Sequence, residues 1–138
     1  MSYTCTLCLW MCILVLIPSV SGVANTAINC MGGGYSGQSS TLACAITGSI
    51  ASGIRWVRPN GGSPQEVIWC NVANTMCIPA GGLTGYSASI DSPTQTTLTI
   101  DSFDAATDAG EWICRDGLIG QGPSSCNKTF FYGPIEAQ

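Results

Sequence analysis

Asp108-Ala109-Gly110-Glu111-Trp112-Ile113-Cys114 is a compact run that ends on a cysteine. It is read together with Cys44, which lies 12 residues before Trp56 and 70 before Cys114. Around this run the chain falls into short β segments separated by turn residues, with no helical periodicity and no internal repeat. The expected fold class is therefore all-β. In Ser40 to Ile46, alternation puts Leu42, Cys44 and Ile46 on one face. Ile54 and Trp56 alternate with Arg55 and Val57 in a second strand, stopped by Pro59-Asn60-Gly61-Gly62. Further strands are expected over Gln65 to Cys70, Tyr86 to Ile90, Thr96 to Ile100 and, last, Cys126 to Tyr132.

Cys44, Trp56 and the Asp108 to Cys114 run together resemble the signature of an immunoglobulin domain, over about Cys30 to Tyr132. In that fold a strand B cysteine bridges to strand F, a strand C tryptophan packs on the bridge, and an aspartate opens the turn into strand F. The resemblance implies an immunoglobulin-like β-sandwich of two antiparallel sheets with Greek-key topology. It also implies a Cys44–Cys114 bridge and structural roles for Trp56, Asp108 and Trp112. The long separation of the two cysteines suits the variable (V) type, with extra C′ and C″ strands. Two positions depart from the family pattern. Trp112 stands where a tyrosine is usual, so an indole N–H replaces the phenol at that corner. The Tyr86 to Ile90 segment lacks the arginine that usually pairs with the aspartate, so Asp108 is expected to accept backbone hydrogen bonds around its own turn. Gly120-Gln121-Gly122 resembles the glycine bulge that opens strand G. It lies only six residues after Cys114 and would leave Cys126 to Tyr132 outside the sheet, so it is read as the tip of the F–G loop.

Of nine cysteines, Cys5, Cys8 and Cys12 fall in an apolar leader and six follow it. Leu7 to Ile17 is apolar, Pro18 breaks the run, and Val20-Ser21-Gly22 suits signal-peptidase cleavage. Residues 1–22 are thus expected to be a signal peptide and 23–138 a single domain. No Lys or Arg precedes Arg55, so the usual positive flank is absent and an uncleaved anchor is the competing reading. The run is nevertheless shorter than the ~20 apolar residues of a spanning helix. The chain ends soon after the last strand with no lipid-anchor pattern, which leads us to expect a secreted, extracellular protein.

Six cysteines in an exported domain read as a disulfide framework with 15 pairings open. Cys70 and Cys77 are spaced for a C′–C″ hairpin, and Cys30 and Cys126 then remain, with the starts of strands A and G expected at the loop end. The alternatives are Cys30 paired with Cys70, or an intermolecular pair. Zinc is disfavoured, since the six include no CxxC pair and the chain has no histidine.

Four basic residues against eight acidic ones give a net charge of −4. Four scattered cations make no basic patch, which argues against a nucleic-acid partner. Catalysis also finds no support: no histidine serves as a base, the cysteines are taken up as bridges, and the acids do not converge. No cofactor or metal is expected, and Trp69 reads as cover for a sheet face. Asn127-Lys128-Thr129 is the single N-x-S/T sequon.

The candidate binding surface is the loop end: residues 51–53, 71–76 and 116–125. Leu118 and Ile119, beside Gln121, are either anchors for a partner or folded back on the loop. The motifs Gly85 to Ile90 and Trp112-Ile113-Cys114, with a Cys70–Cys77 clamp, are similar to those of invertebrate secreted immunoglobulin proteins, including the immunoglobulin portions of snail fibrinogen-related lectins. That similarity implies innate immune recognition of a foreign surface or glycan. The alternative is a cell-adhesion or receptor–ligand module with a protein partner, forming a homodimer through the C–C′–F–G sheet.

Overall fold

The structure, a computed structural model, describes residues 22–131. The expected leader before Gly22, and Tyr132 at the end of the last expected strand, lie outside the described residues. The chain forms β1 (Asn25–Asn29), β2 (Gly34–Tyr35), β3 (Ser40–Thr47), β4 (Ile54–Arg58), β5 (Gln65–Cys70) and β6 (Cys77–Pro79). There follow β7 (Tyr86–Ser92), β8 (Gln95–Ile100), a single helical turn α1 (Ala105–Asp108), β9 (Gly110–Asp116), β10 (Ser125–Lys128) and β11 (Phe130–Phe131).

A four-stranded antiparallel sheet runs β1-β3-β8-β7 and a five-stranded one β10-β9-β4-β5-β6. The period-2 alternation of the sequence determines which faces they bury. Leu42, Cys44, Ile46, Leu98 and Ile100 from the first sheet share one core with Ile54, Trp56, Ile68, Trp112 and Cys114 from the second. The result is a sandwich-like, all-β arrangement. The Cys44–Cys114 bridge ties β3 to β9 through this core, and Trp56 lies directly opposite Cys114 in the β4–β9 ladder.

At the end of the sandwich away from the loop cluster, Asp108 holds three strands together. Its Oδ2 accepts the Asp104 N–H at 2.8 Å, the backbone bond around its own turn that the sequence led us to expect. Its Oδ1 accepts the Tyr86 hydroxyl, whose oxygen in turn accepts Arg58 Nη1 at 2.8 Å. Arg58 also lies over the Tyr86 ring. Tyr86 and Arg58 thus connect strands β7 and β4 to Asp108. Burial and the Asp108 hydrogen bond raise the tyrosine pKa. The Trp112 indole N–H donates to the Asp108 carbonyl at 2.7 Å, so it returns to the backbone four residues upstream.

The last strand differs from the continuous Cys126 to Tyr132 segment expected. It breaks at Thr129, because β9 begins at Gly110, opposite Lys128, and offers nothing beyond it. Phe130 and Phe131 pair instead in parallel with Gly34 and Tyr35. Glycine at 34 lets β2 lie against Phe103: a Cβ there would stand 2.4 Å from that ring.

Strand β1 closes the side of the sandwich. It pairs with β3 on one edge, while the Thr26 and Ile28 N–H groups donate to the Gln121 and Pro123 carbonyls at 2.9 and 3.1 Å on the other. The Cys30–Cys126 bridge continues this seam. It does not sit at the loop end as expected: β1 begins there with Asn25 opposite Thr47, but Asn29, just before Cys30, is opposite Ala43, midway along β3. Below the bridge, Met31 and Gly32 take left-handed conformations, φ 55° and 80°. The fully buried Lys128 Nζ donates to the Cys30, Gly32 and Thr41 carbonyls at 2.6, 3.0 and 3.1 Å. Burial lowers its pKa from the ordinary lysine value. Lys128→Met keeps the stem but removes the donors, leaving three inward carbonyls to be satisfied some other way. The expected loss is about 2 kcal/mol in denaturant unfolding. A loss below about 0.5 kcal/mol would show that the carbonyls do not need the ammonium.

Candidate functional site

Three loops share the end where Ile54, Cys70 and Asp116 stand level across the five-stranded sheet. The organising group is Asp116, the last residue of β9 and fully buried. Its Oδ2 accepts the Ala24 and Ala51 N–H groups at 2.8 and 2.7 Å, and its Oδ1 accepts those of Ser52 and Gly53 at 2.8 and 3.1 Å. One carboxylate therefore holds the N-terminal segment and the β3–β4 loop. Burial opposes its ionisation, but the four backbone donors outweigh that and hold its pKa below the ordinary aspartate value. The sequence reading counted Asp116 only as a loop boundary. The cue available was an acid directly after the Cys114-Arg115 pair, which carries no signal without the loop that surrounds it.

The β5–β6 hairpin is secured three ways. Cys70 is bridged to Cys77. Asn71 Oδ1 accepts the Thr75 and Met76 N–H groups at 2.8 and 3.2 Å. Asn74, buried and at φ 52°, donates Nδ2 to the Ser92 and Pro93 carbonyls at 3.3 and 3.1 Å, which pins the hairpin to the β7–β8 turn of the other sheet. Val72 and Met76 remain exposed between these restraints.

In the β9–β10 loop, Leu118 and Ile119 are 73% and 85% exposed, so they do not fold back. The Gly120-Gln121-Gly122 triplet is not the tip. Gln121 lies against β1, where it forms a parallel bridge to Asn25 and its carbonyl accepts the Thr26 N–H. Among the described residues the edge of β1 has no other strand on that side, so it draws in the descending limb and leaves Leu118 and Ile119 at the crest. Leu118, Ile119 and Gln121 thus share a loop but differ in role.

Asn127 is exposed on β10, opposite Glu111 in the ladder. On the outer face of the five-stranded sheet, Arg115, Arg55, Trp69 and Ile78 form one cross-strand row. Arg55 Nη1 meets both Glu66 carboxylate oxygens at 3.0 and 2.7 Å. Trp69 is half-buried in this row. Among the described residues no group of three or more His, Cys, Asp or Glu is arranged to hold a metal ion. Compared with known protein families and with curated protein sequences, the chain has no match.

Proposed function

We propose that the chain is a secreted immunoglobulin-domain protein of the V type, with Greek-key connections, and that it acts by binding rather than by catalysis. The Cys44–Cys114 bridge with Trp56 opposite it, the additional β5–β6 hairpin and the parallel β2–β11 pairing support the V-type reading. Three disulfides support export to an oxidising compartment, and no helix among the described residues is long and apolar enough to cross a membrane. An exposed Asn127 is compatible with a glycan on its sequon.

The ligand in this proposal is a foreign surface or glycan met by the loop end, in an innate immune role. The observation that carries it is the pair Leu118 and Ile119, exposed at the crest of a loop whose two stems are fixed by Asp116 and by the β1 ladder. Apolar side chains held on a rigid support lose little entropy on binding. The test is direct binding of the purified secreted chain to a panel of microbial cells and immobilised glycans. Leu118→Asp/Ile119→Asp is expected to keep the melting temperature and weaken binding about tenfold or more. Equal binding by the double variant, or no binding by the unaltered chain, would reject the proposal.

A second reading, adhesion or receptor–ligand pairing through the C–C′–F–G face, draws support from Ile113, Trp69 and Ile78 on that face. A concentration-dependent dimer in sedimentation, dispersed by Ile78→Asp, would favour it.

A further inference from the structure

Glu111 and Asn127 stand side by side as directly paired residues of β9 and the edge strand β10. The next pair in that ladder, Trp112 and Cys126, packs on the core, so alternation turns Glu111 and Asn127 to the outer face, where both are exposed. Beside Glu111 the surface is hollowed. Pro59, Gly62 and Pro64, which follow β4, face Ala109, Gly110 and Glu111 across a depression of about 280 Å³. Gly110, at φ 126°, lets this segment close on β9, since a Cβ there would stand 3.0 Å from Pro59 Cβ. The lining is mostly proline ring and glycine, and Glu111 is its one charged group. Among the described residues no cation pairs with that carboxylate, so its oxygens are open to another donor.

We infer that this hollow is a sugar site within the chain, and that it seats the first N-acetylglucosamine of a glycan on Asn127. The inference rests on use of the Asn127-Lys128-Thr129 sequon. Neighbouring strands lie about 4.8 Å apart, so in the order β10-β9-β4 the end of β4 is roughly two spacings from Asn127. One ring joined to the asparagine amide therefore covers Glu111 and reaches Pro59. The ring's C–H face and its acetamido methyl are apolar and suit the proline rings, whereas the acetamido N–H and the hydroxyls donate to a carboxylate. The volume falls just below the ~300 Å³ at which small-molecule sites begin, which fits one sugar and not an oligosaccharide. The covalent link supplies an effective concentration of roughly millimolar, so contacts too weak to capture the free sugar are still occupied. Glu111 lies about 17 Å along β9 from Asp116, at ~3.4 Å per residue. A glycan held there shields the edge of β10 and the base of the outer face, and leaves the Leu118 and Ile119 crest uncovered.

The experiment uses the chain secreted from cells restricted to oligomannose glycans, in three forms: the full glycoform, the endoglycosidase H product that keeps one N-acetylglucosamine, and Asn127→Gln. Intact mass establishes whether Asn127 carries a glycan. In the one-sugar form, nuclear Overhauser contacts are expected between the acetamido methyl and the ring protons of Pro59 and Pro64. Its melting temperature should equal that of the full glycoform and exceed that of Asn127→Gln by at least about 2 °C. Glu111→Ala should lower the melting temperature of the one-sugar form more than that of Asn127→Gln, which isolates the contact between the carboxylate and the sugar. If Asn127→Gln is not secreted, enzymatic removal of the whole glycan from the folded protein supplies the sugar-free form. Absence of a glycan would overturn the sequon reading and this site with it. A glycan whose first sugar contacts neither proline, with equal melting temperatures in its presence and absence, would leave the sequon reading standing and overturn the seat.

Discussion

Replacing Cys30 and Cys126 together by alanine is expected to destabilise the protein by about 5 kcal/mol, the amount that chain entropy assigns to a closed loop of this length. The bridge spans a sequence separation of 96, whereas Cys70–Cys77 spans 7 and is worth roughly half as much in the same model. The loss should be localised as well as global. Above the bridge, β1 retains its five-residue pairing with β3 and its two bonds to Gln121 and Pro123. Below it, the left-handed turn at Met31 and Gly32, the Lys128 bonds and the two-residue β2–β11 pairing have no comparable support. Hydrogen exchange at Gly34 and Phe130 should therefore accelerate before that of Leu42 or Leu98. Denaturant unfolding supplies the total, and a loss under about 1 kcal/mol would mean that the seam is held by its hydrogen bonds alone.

Asp116→Ala is expected to cost on the order of 3 to 4 kcal/mol, because removal of one buried carboxylate strands four backbone N–H groups at once. Hydrogen bonds to a charged acceptor are the stronger kind. The β3–β4 loop and the N-terminal segment should loosen together, which amide exchange at Ala24, Ser52 and Gly53 would register. Asp116→Asn keeps one oxygen acceptor and should fall between the two proteins. The acid limb of the stability curve gives an independent check. The folded pKa of Asp116 lies below its ordinary value of 3.8, so at acid pH the unfolded chain binds the proton more readily than the folded one. The contribution is complete above that ordinary value and disappears as pH falls through the lower folded pKa. Asp116→Asn should flatten this limb, and an unchanged acid limb would show that another carboxyl controls it.

The rest of the molecule shows why some of these groups were visible in advance and others were not. Strand Ser40–Thr47 and the Ile54–Trp56 part of the next carry a period-2 pattern, so their inward residues can be read in advance, whereas in Gln65–Cys70 the adjacent Val67 and Ile68 are both in the core beside a register shift. Cys70 and Cys77 announce a hairpin by spacing. Tyr86 gave no comparable sign: it reads as an ordinary first strand residue, and its bond to Asp108 exists only because β7 and β9 are brought to one corner. Lys128 was counted only as one of four scattered cations and as the middle residue of a sequon. Its burial follows from the Met31–Gly32 turn, which brings the Cys30 and Gly32 carbonyls beside that of Thr41 on β3. Gln121 was assigned to a loop tip because glycines flank it, whereas the free edge of β1 draws it in.

Taken alone, the amino-acid order settles the all-β class, the inward faces of the main strands and the cysteines available for bridging. These depend on alternation and spacing, which act between residues close along the chain. The position of the Cys30–Cys126 bridge, the burial of Lys128 and the four-fold use of Asp116 come from the fold. Each depends on which distant backbone or side-chain groups are brought within hydrogen-bond reach, and how they are shielded from water. Strand pairing and sheet packing impose those distances, and no local pattern encodes them.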